Sequence, residues 1–183
     1  MTRIKKQNKV ILYCAGLSII LSIWLAFSAG AQTTLFVIKY VMLITLSYTA
    51  MVFDINTKRI PNNLVLIMIT GWLFLIIGLF LTDLDEGFTL LYDSIYGSLI
   101  GGGLFLLVYL LSKKGLGGGD VKFMAAAGLY LGLDKTIPAI LYGTVLAALT
   151  GLVLILLRKI GRKDTIPLAP FLFAGILVTV FTS

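Results

Sequence analysis

The chain has no histidine and a single cysteine, Cys14, in 183 residues. One thiol cannot close an intramolecular disulfide. Without imidazole, neither a typical zinc site nor a Ser-His-Asp hydrolase can be assembled, so no metal and no cofactor is expected. Charge is scarce too. Only 13% of residues are charged and 59% are hydrophobic, where a soluble domain is nearer ~25% charged and ~50% apolar. A soluble fold of this size needs charged surface to stay dissolved, so lipid is the solvent expected over most of this one. Any chemistry must come mainly from carboxylates, lysines and hydroxyls.

The 15 Lys and Arg against 8 Asp and Glu leave a net charge of +7. In a soluble protein that excess raises the question of nucleic acid. Here the basic residues fall in short connections between apolar runs, where they set membrane topology instead. No nucleic-acid partner is expected.

Apolar runs long enough to span a bilayer recur along the chain. The first, 10–29, follows Arg3, Lys5, Lys6 and Lys9. It is longer than the ~7–15 residues of a signal-peptide core and is expected to stay as a helix. The second, 35–53, carries Lys39 near one end and stops at Asp54. Pro61 and the asparagines after it read as the start of a third helix, 64–81, since proline is tolerated in a first turn. An acidic loop with Asp83, Asp85, Glu86 and Asp93 then leads to a fourth, 95–111, in which Gly97 and Gly101 permit close helix approach. A short fifth run, 121–133, is interrupted by Asp134 and Lys135 before a sixth, 137–157, and a last run follows Pro167 and Pro170. With seven crossings and a cytosolic N-terminus, 13 of the 15 basic residues lie inside and the acidic loop lies outside. The expectation is therefore an all-α, polytopic integral membrane protein of the cytoplasmic membrane. Its N-terminal unit is 1–33, and a six-helix unit covers 34–183.

That topology puts Asp54 and Asp120 at cytosolic ends of different helices, at junctions between apolar helix and basic loop. Carboxylates near the hydrocarbon edge mark function or a buried pairing. Two aspartates brought close cannot easily both ionise. One can then take a proton from water while the other donates toward a peptide carbonyl or leaving amine. The glycines ahead of Asp120, among them Gly117 and Gly119, permit close backbone approach to a substrate strand, and equally make a flexible loop. Lys122 either tunes Asp120 or engages an acidic substrate residue, or else it is an interfacial anchor that snorkels to the headgroups.

The segment Gly117-Gly118-Gly119-Asp120-Val121-Lys122 resembles the Gly-x-Gly-Asp-x-Lys motif of the type IV prepilin peptidases, which are membrane aspartic proteases. Phe53-Asp54 followed by Arg59-Ile60-Pro61-Asn62 is similar to the family's first catalytic segment, and Ile166-Pro167-Leu168-Ala169-Pro170-Phe171-Leu172 is similar to its Pro-rich C-terminal stretch. The resemblance covers roughly residues 45–180, with the motifs in order. It implies Asp54 and Asp120 as the catalytic pair, with Gly117, Gly119, Lys122, Pro61 and Asn62 in supporting or substrate-binding positions. It further implies an endopeptidase that removes basic leader peptides from prepilin-like or pseudopilin precursors at the cytosolic membrane face.

Longer members carry a cytosolic domain with four cysteines and also N-methylate the product. This chain has neither the room nor the cysteines for that domain, so it looks more like the short peptidases of tight-adherence (Flp) pili or preflagellins. Two other readings compete. A presenilin-type intramembrane protease shares the Gly-x-Gly-Asp signature, but its aspartates would serve cleavage within a substrate helix. A transporter component or scaffold would show inverted halves, and no internal repeat is visible.

Overall fold

The computed structural model describes residues 31–112, 116–159, 161 and 166–182, all helices and their connections, with no strand among them. The expected first helix at 10–29, with the basic residues ahead of it, lies outside the described residues. So do Lys113, Lys114, Gly115, Arg162 and Lys163. Five helices follow in order: α1 (Ala31–Thr57), α2 (Asn62–Thr82), α3 (Leu84–Leu111), α4 (Gly118–Leu156) and α5 (Ala169–Thr182). Four of them, α1 to α4, are long and apolar enough to cross a membrane. Phe74, Leu81, Leu111 and Leu156 project outward with most of their surface open. That is unfavourable in water and ordinary in lipid.

Two boundaries differ from the sequence expectation. The acidic stretch is not a loop: α3 begins at Leu84 and takes in Asp85, Glu86 and Asp93. The reason is local. The Asp83 carboxylate accepts the N–H groups of Asp85 and Glu86 at 3.0 and 3.1 Å, an N-cap that starts the helix at once. Similarly, Asp134 and Lys135 do not end a helix. The break falls at Gly132, whose φ of 74° and ψ of −176° suit glycine alone. The helix resumes immediately because Asp93 Oδ1 accepts the Leu133 N–H at 2.8 Å and Thr136 Oγ1 donates to the Gly132 carbonyl at 2.6 Å.

Contacts with α3 give the direction of the two halves of α4. Before the break, Met124 lies against Gly101 and Gly128 against Gly97, so this half runs antiparallel to α3. After it, Gly132 lies against Gly97 and Thr136 against Gly101, so this half runs back alongside α3. The chain reverses at Gly132. The first half, 118–131, rises ~21 Å, short of the ~30 Å hydrocarbon core.

Packing in lipid cannot rely on expelling water, so close backbone contact and inter-helix hydrogen bonds carry it. A Cβ on Gly97 would collide with the Gly128 carbonyl, and one on Gly128 with the Gly97 carbonyl; Gly175 meets the Ala139 carbonyl in the same way. Tyr130 donates to the Met68 carbonyl at 2.6 Å, and Trp72 Nε1 to Ser94 Oγ at 3.1 Å, both buried. Leu43, Met68, Phe123, Met124, Leu172 and Ile176 fill the space between, each fully enclosed.

The glycine seam yields a stability prediction. Gly128→Val forces backbone apart from backbone and should destabilise the fold by about 1–3 kcal/mol or more. It should lower the thermal midpoint of the detergent-solubilised protein by several degrees. Gly103→Ala, where an added methyl meets nothing within 4 Å, should leave the midpoint unchanged.

Candidate functional site

The last turn of α1, the first turn of α4 and the start of α5 converge at one end of the bundle. Asp54 occupies the α1 turn and is 6% exposed. Its Oδ2 accepts the backbone N–H of Ala169 at 2.9 Å, a buried bond between residues far apart in the chain. The first N–H groups of a helix have no partner within it and favour negative charge. Pro170 has no N–H to offer, which leaves Ala169 to present the donor. Just behind it the Leu168 carbonyl accepts from Phe171 and Leu172 and closes the first turn of α5.

Asp120 stands in the first turn of α4, half-buried, with its own N–H bonded to the Gly117 carbonyl at 3.1 Å. Its Oδ1 is enclosed and has no hydrogen-bond partner. The Asp54 carboxylate is close enough to act on it through space. The helix starts at Gly118, so two of the glycines read as loop belong to the first turn instead. Gly117 serves as the N-cap residue, its Cα beside Asp120 Oδ2. Gly119 is required for a close approach: a Cβ there would come within 3.3 Å of Ile60 Cβ and 3.4 Å of the Ile60 backbone nitrogen.

The connection from α1 to α2 brings up the remaining expected residues. α1 ends with the Lys58 N–H on the Asp54 carbonyl at 2.8 Å, and Lys58 takes a left-handed φ of 51° to turn the chain. Pro61 is the N-cap residue of α2, in extended conformation. Asn62 opens α2, and its Oδ1 accepts from Lys122 Nζ at 3.1 Å on the exposed rim. The structure thus brings Asp54, Pro61, Asn62, Gly117, Gly119, Asp120 and Lys122 to one end of the bundle. Sequence reasoning did not reach Ala169 as the partner of Asp54 or Ile60 as the residue against Gly119. The two prolines flanking Leu168 and Ala169 were the available signal for a helix start there. No group of His, Cys, Asp and Glu able to hold a metal occurs among the described residues. Beside the site, an apolar groove of about 370 Å³ runs between α3 and the second half of α4, bounded by Leu116 and Leu168.

The sequence profile of the type IV leader peptidase family matches residues 40–152, more than half of the chain and both aspartates. The chain belongs to the type IV leader peptidase family. Among curated relatives, prepilin leader peptidase/N-methyltransferases of Bacillus subtilis, Aeromonas hydrophila and Escherichia coli K12 are similar to it, with 27%, 31% and 31% identity. The alignments cover 74%, 72% and 72% of this chain, and 52%, 45% and 57% of the relatives. This leader peptidase family member therefore spans about half the length of the curated relatives it matches. No solved structure matches it.

The hydrogen bond between Lys122 and Asn62 lies at the surface, where even a full ion pair contributes at most about 1 kcal/mol. A double-mutant cycle of Asn62→Ala and Lys122→Met should therefore give a coupling energy for unfolding below about 1 kcal/mol. The measurement is thermal or denaturant unfolding in detergent. A larger coupling would make the pair a structural clamp.

Proposed function

We propose that this leader peptidase family member is a membrane-embedded aspartic endopeptidase, with Asp54 and Asp120 as its dyad. It removes basic leaders from prepilin-like precursors at the cytosolic face of the cytoplasmic membrane, and residues 34–183 are the catalytic unit. The observation that carries the reading is the state of the two carboxylates. Asp54 is anchored by the α5 N-terminus, and Asp120, at the same end of the bundle, keeps an enclosed oxygen with no partner. A buried acceptor left open is costly unless something external completes it, and a water or a peptide N–H has the right chemistry. The relatives, prepilin leader peptidase/N-methyltransferases, suggest the substrate class.

In this reading one carboxylate accepts a proton from water as its oxygen bonds to the scissile carbonyl carbon. The other, in its acid form, donates to the leaving amine as the C–N bond breaks. Lys122, bonded to Asn62 at the exposed rim, stands where an acidic residue of the substrate can reach it. The proposal is confined to peptide-bond cleavage. The distribution of basic residues in the sequence supports the cytosolic placement.

Co-expression with a pilin-like precursor tests the dyad. Asp54→Asn and Asp120→Asn should each reduce leader removal at least about a hundredfold, the scale of acid–base catalysis, with helical content retained. Lys122→Met should slow it measurably. Processing that survives either Asn variant eliminates the dyad.

Membrane orientation has its own test. With Cys14→Ser as background, Arg59→Cys should react with an impermeant maleimide only in inverted vesicles, and Thr82→Cys only in right-side-out ones. The reverse pattern would place the aspartates on the outer face.

A further inference from the structure

At the other end of the bundle from the aspartates is a second polar site. Lys39 lies on α1 about 22 Å along the helix axis from Asp54. It lines a cavity of about 390 Å³ between α1, α3 and the Gly132 reversal. That volume is in the range of small-ligand sites and holds roughly a dozen waters. Lys39 is 4% exposed. Its ammonium stands over two aromatic faces, 5.4 Å from the centre of Phe36 and 5.0 Å from that of Tyr40. Lys135, from the second half of α4, reaches the same Tyr40 ring at 4.8 Å, with Asp134 beside it in the cavity wall. Two cations sharing one ring repel each other.

The α3 wall of the cavity has the opposite character. It presents Glu86, Thr89 and Asp93, one helix face. Asp93 Oδ1 is engaged by the Leu133 N–H, but Glu86 Oε2 is enclosed without any hydrogen-bond partner. The cavity therefore offers two cations over one ring on one side and an unpaired carboxylate oxygen on the other. A simple anion would meet the carboxylates, and a simple cation would meet the two ammonium groups. A zwitterion satisfies both walls.

We infer that this cavity binds a phosphoethanolamine group, its phosphate between Lys39 and Lys135 and its primary ammonium on Glu86. The source we assign is the headgroup of a membrane phospholipid. Exposed aromatic residues flank the cavity, with Phe36 on its edge and Phe88 and Tyr92 on α3 at half or more of their surface. Such a belt marks the headgroup level of a bilayer, and basic pockets between spanning helices take lipid headgroups.

The experiment is native mass spectrometry of the full chain, stripped of lipid and reloaded from an equimolar mixture of phosphatidylethanolamine, phosphatidylcholine and phosphatidylglycerol. One phosphatidylethanolamine should be retained per chain, favoured about tenfold or more over the other two, the scale of one charge-assisted hydrogen bond. Lys39→Met should abolish retention, and Lys135→Met, on the more open lysine, should weaken it. Glu86→Gln should erase the preference over phosphatidylcholine, whose quaternary ammonium has no N–H to donate. Leader processing by Lys39→Met in detergent should persist, because the cavity is remote from the aspartates. Phosphatidylglycerol retained as well as phosphatidylethanolamine, or retention indifferent to all three variants, would overturn the assignment. Thermal protection by soluble phosphoethanolamine with no lipid retained would overturn the membrane source.

Discussion

A carboxylate enclosed among apolar helices is sustainable only where a donor is fixed in front of it, and for Asp54 that donor is the Ala169 N–H. The bond joins the end of the first described helix to the beginning of the last. It thereby determines where α5 can sit, and α5 in turn packs on α4 through Gly175 and Gly143. The same logic repeats at each polar crossing of the bundle. Tyr130 on Met68, Trp72 on Ser94 and Asp93 on Leu133 each supply a partner that lipid cannot. These bonds are few, and between apolar surfaces they discriminate one arrangement of helices from another.

Backbone proximity carries the rest. Gly97 and Gly101 bring α3 so close to the first half of α4 that carbonyl oxygens occupy the space a Cβ would need. The intimacy has a consequence for the site. The first half of α4 carries Asp120 at its start and Gly128 near its end, so the glycine seam fixes the height of Asp120 relative to the bundle. The reversal at Gly132 then lets a segment too short to span a full bilayer return its chain along α3 without a loop.

Much of this was legible in the sequence, for identifiable reasons. The apolar runs that fall among the described residues, the glycines four apart on α3 and the two aspartates near helix ends are local patterns, and each lies where its pattern implies. What escaped is relational. Asp83 looked like one acid in a loop, because its role as a cap depends on N–H groups two and three residues on. Asp134 and Lys135 looked like an interruption, because the carboxylate that lets the helix resume, Asp93, comes from another helix. Ala169 carries no side-chain functionality at all. Its contribution is a backbone N–H exposed by its position at a helix start, which no composition or motif announces.

Most buried polar groups in the bundle are paired, so the unpaired ones stand out. Asp120 Oδ1 lies at one end and Glu86 Oε2 at the other. Ser47 Oγ, on α1 two turns from Asp54, is also unpaired, and the structure offers no account of it. A fold that satisfies Tyr130, Trp72 and Asp54 so fully has no general difficulty in pairing polar atoms. Leaving an acceptor enclosed and open costs about 1–3 kcal/mol, more when the group is charged. Such a deficit persists where a partner from outside the chain removes it. In the proposed function the partner at the Asp120 end is a water and a peptide, and in the proposed headgroup site the partner at the Lys39 end carries both signs of charge. The two ends differ in kind because their walls do. One is a pair of acids in front of a helix N-terminus, and the other is a cation facing acids across a cavity at the level of an aromatic belt.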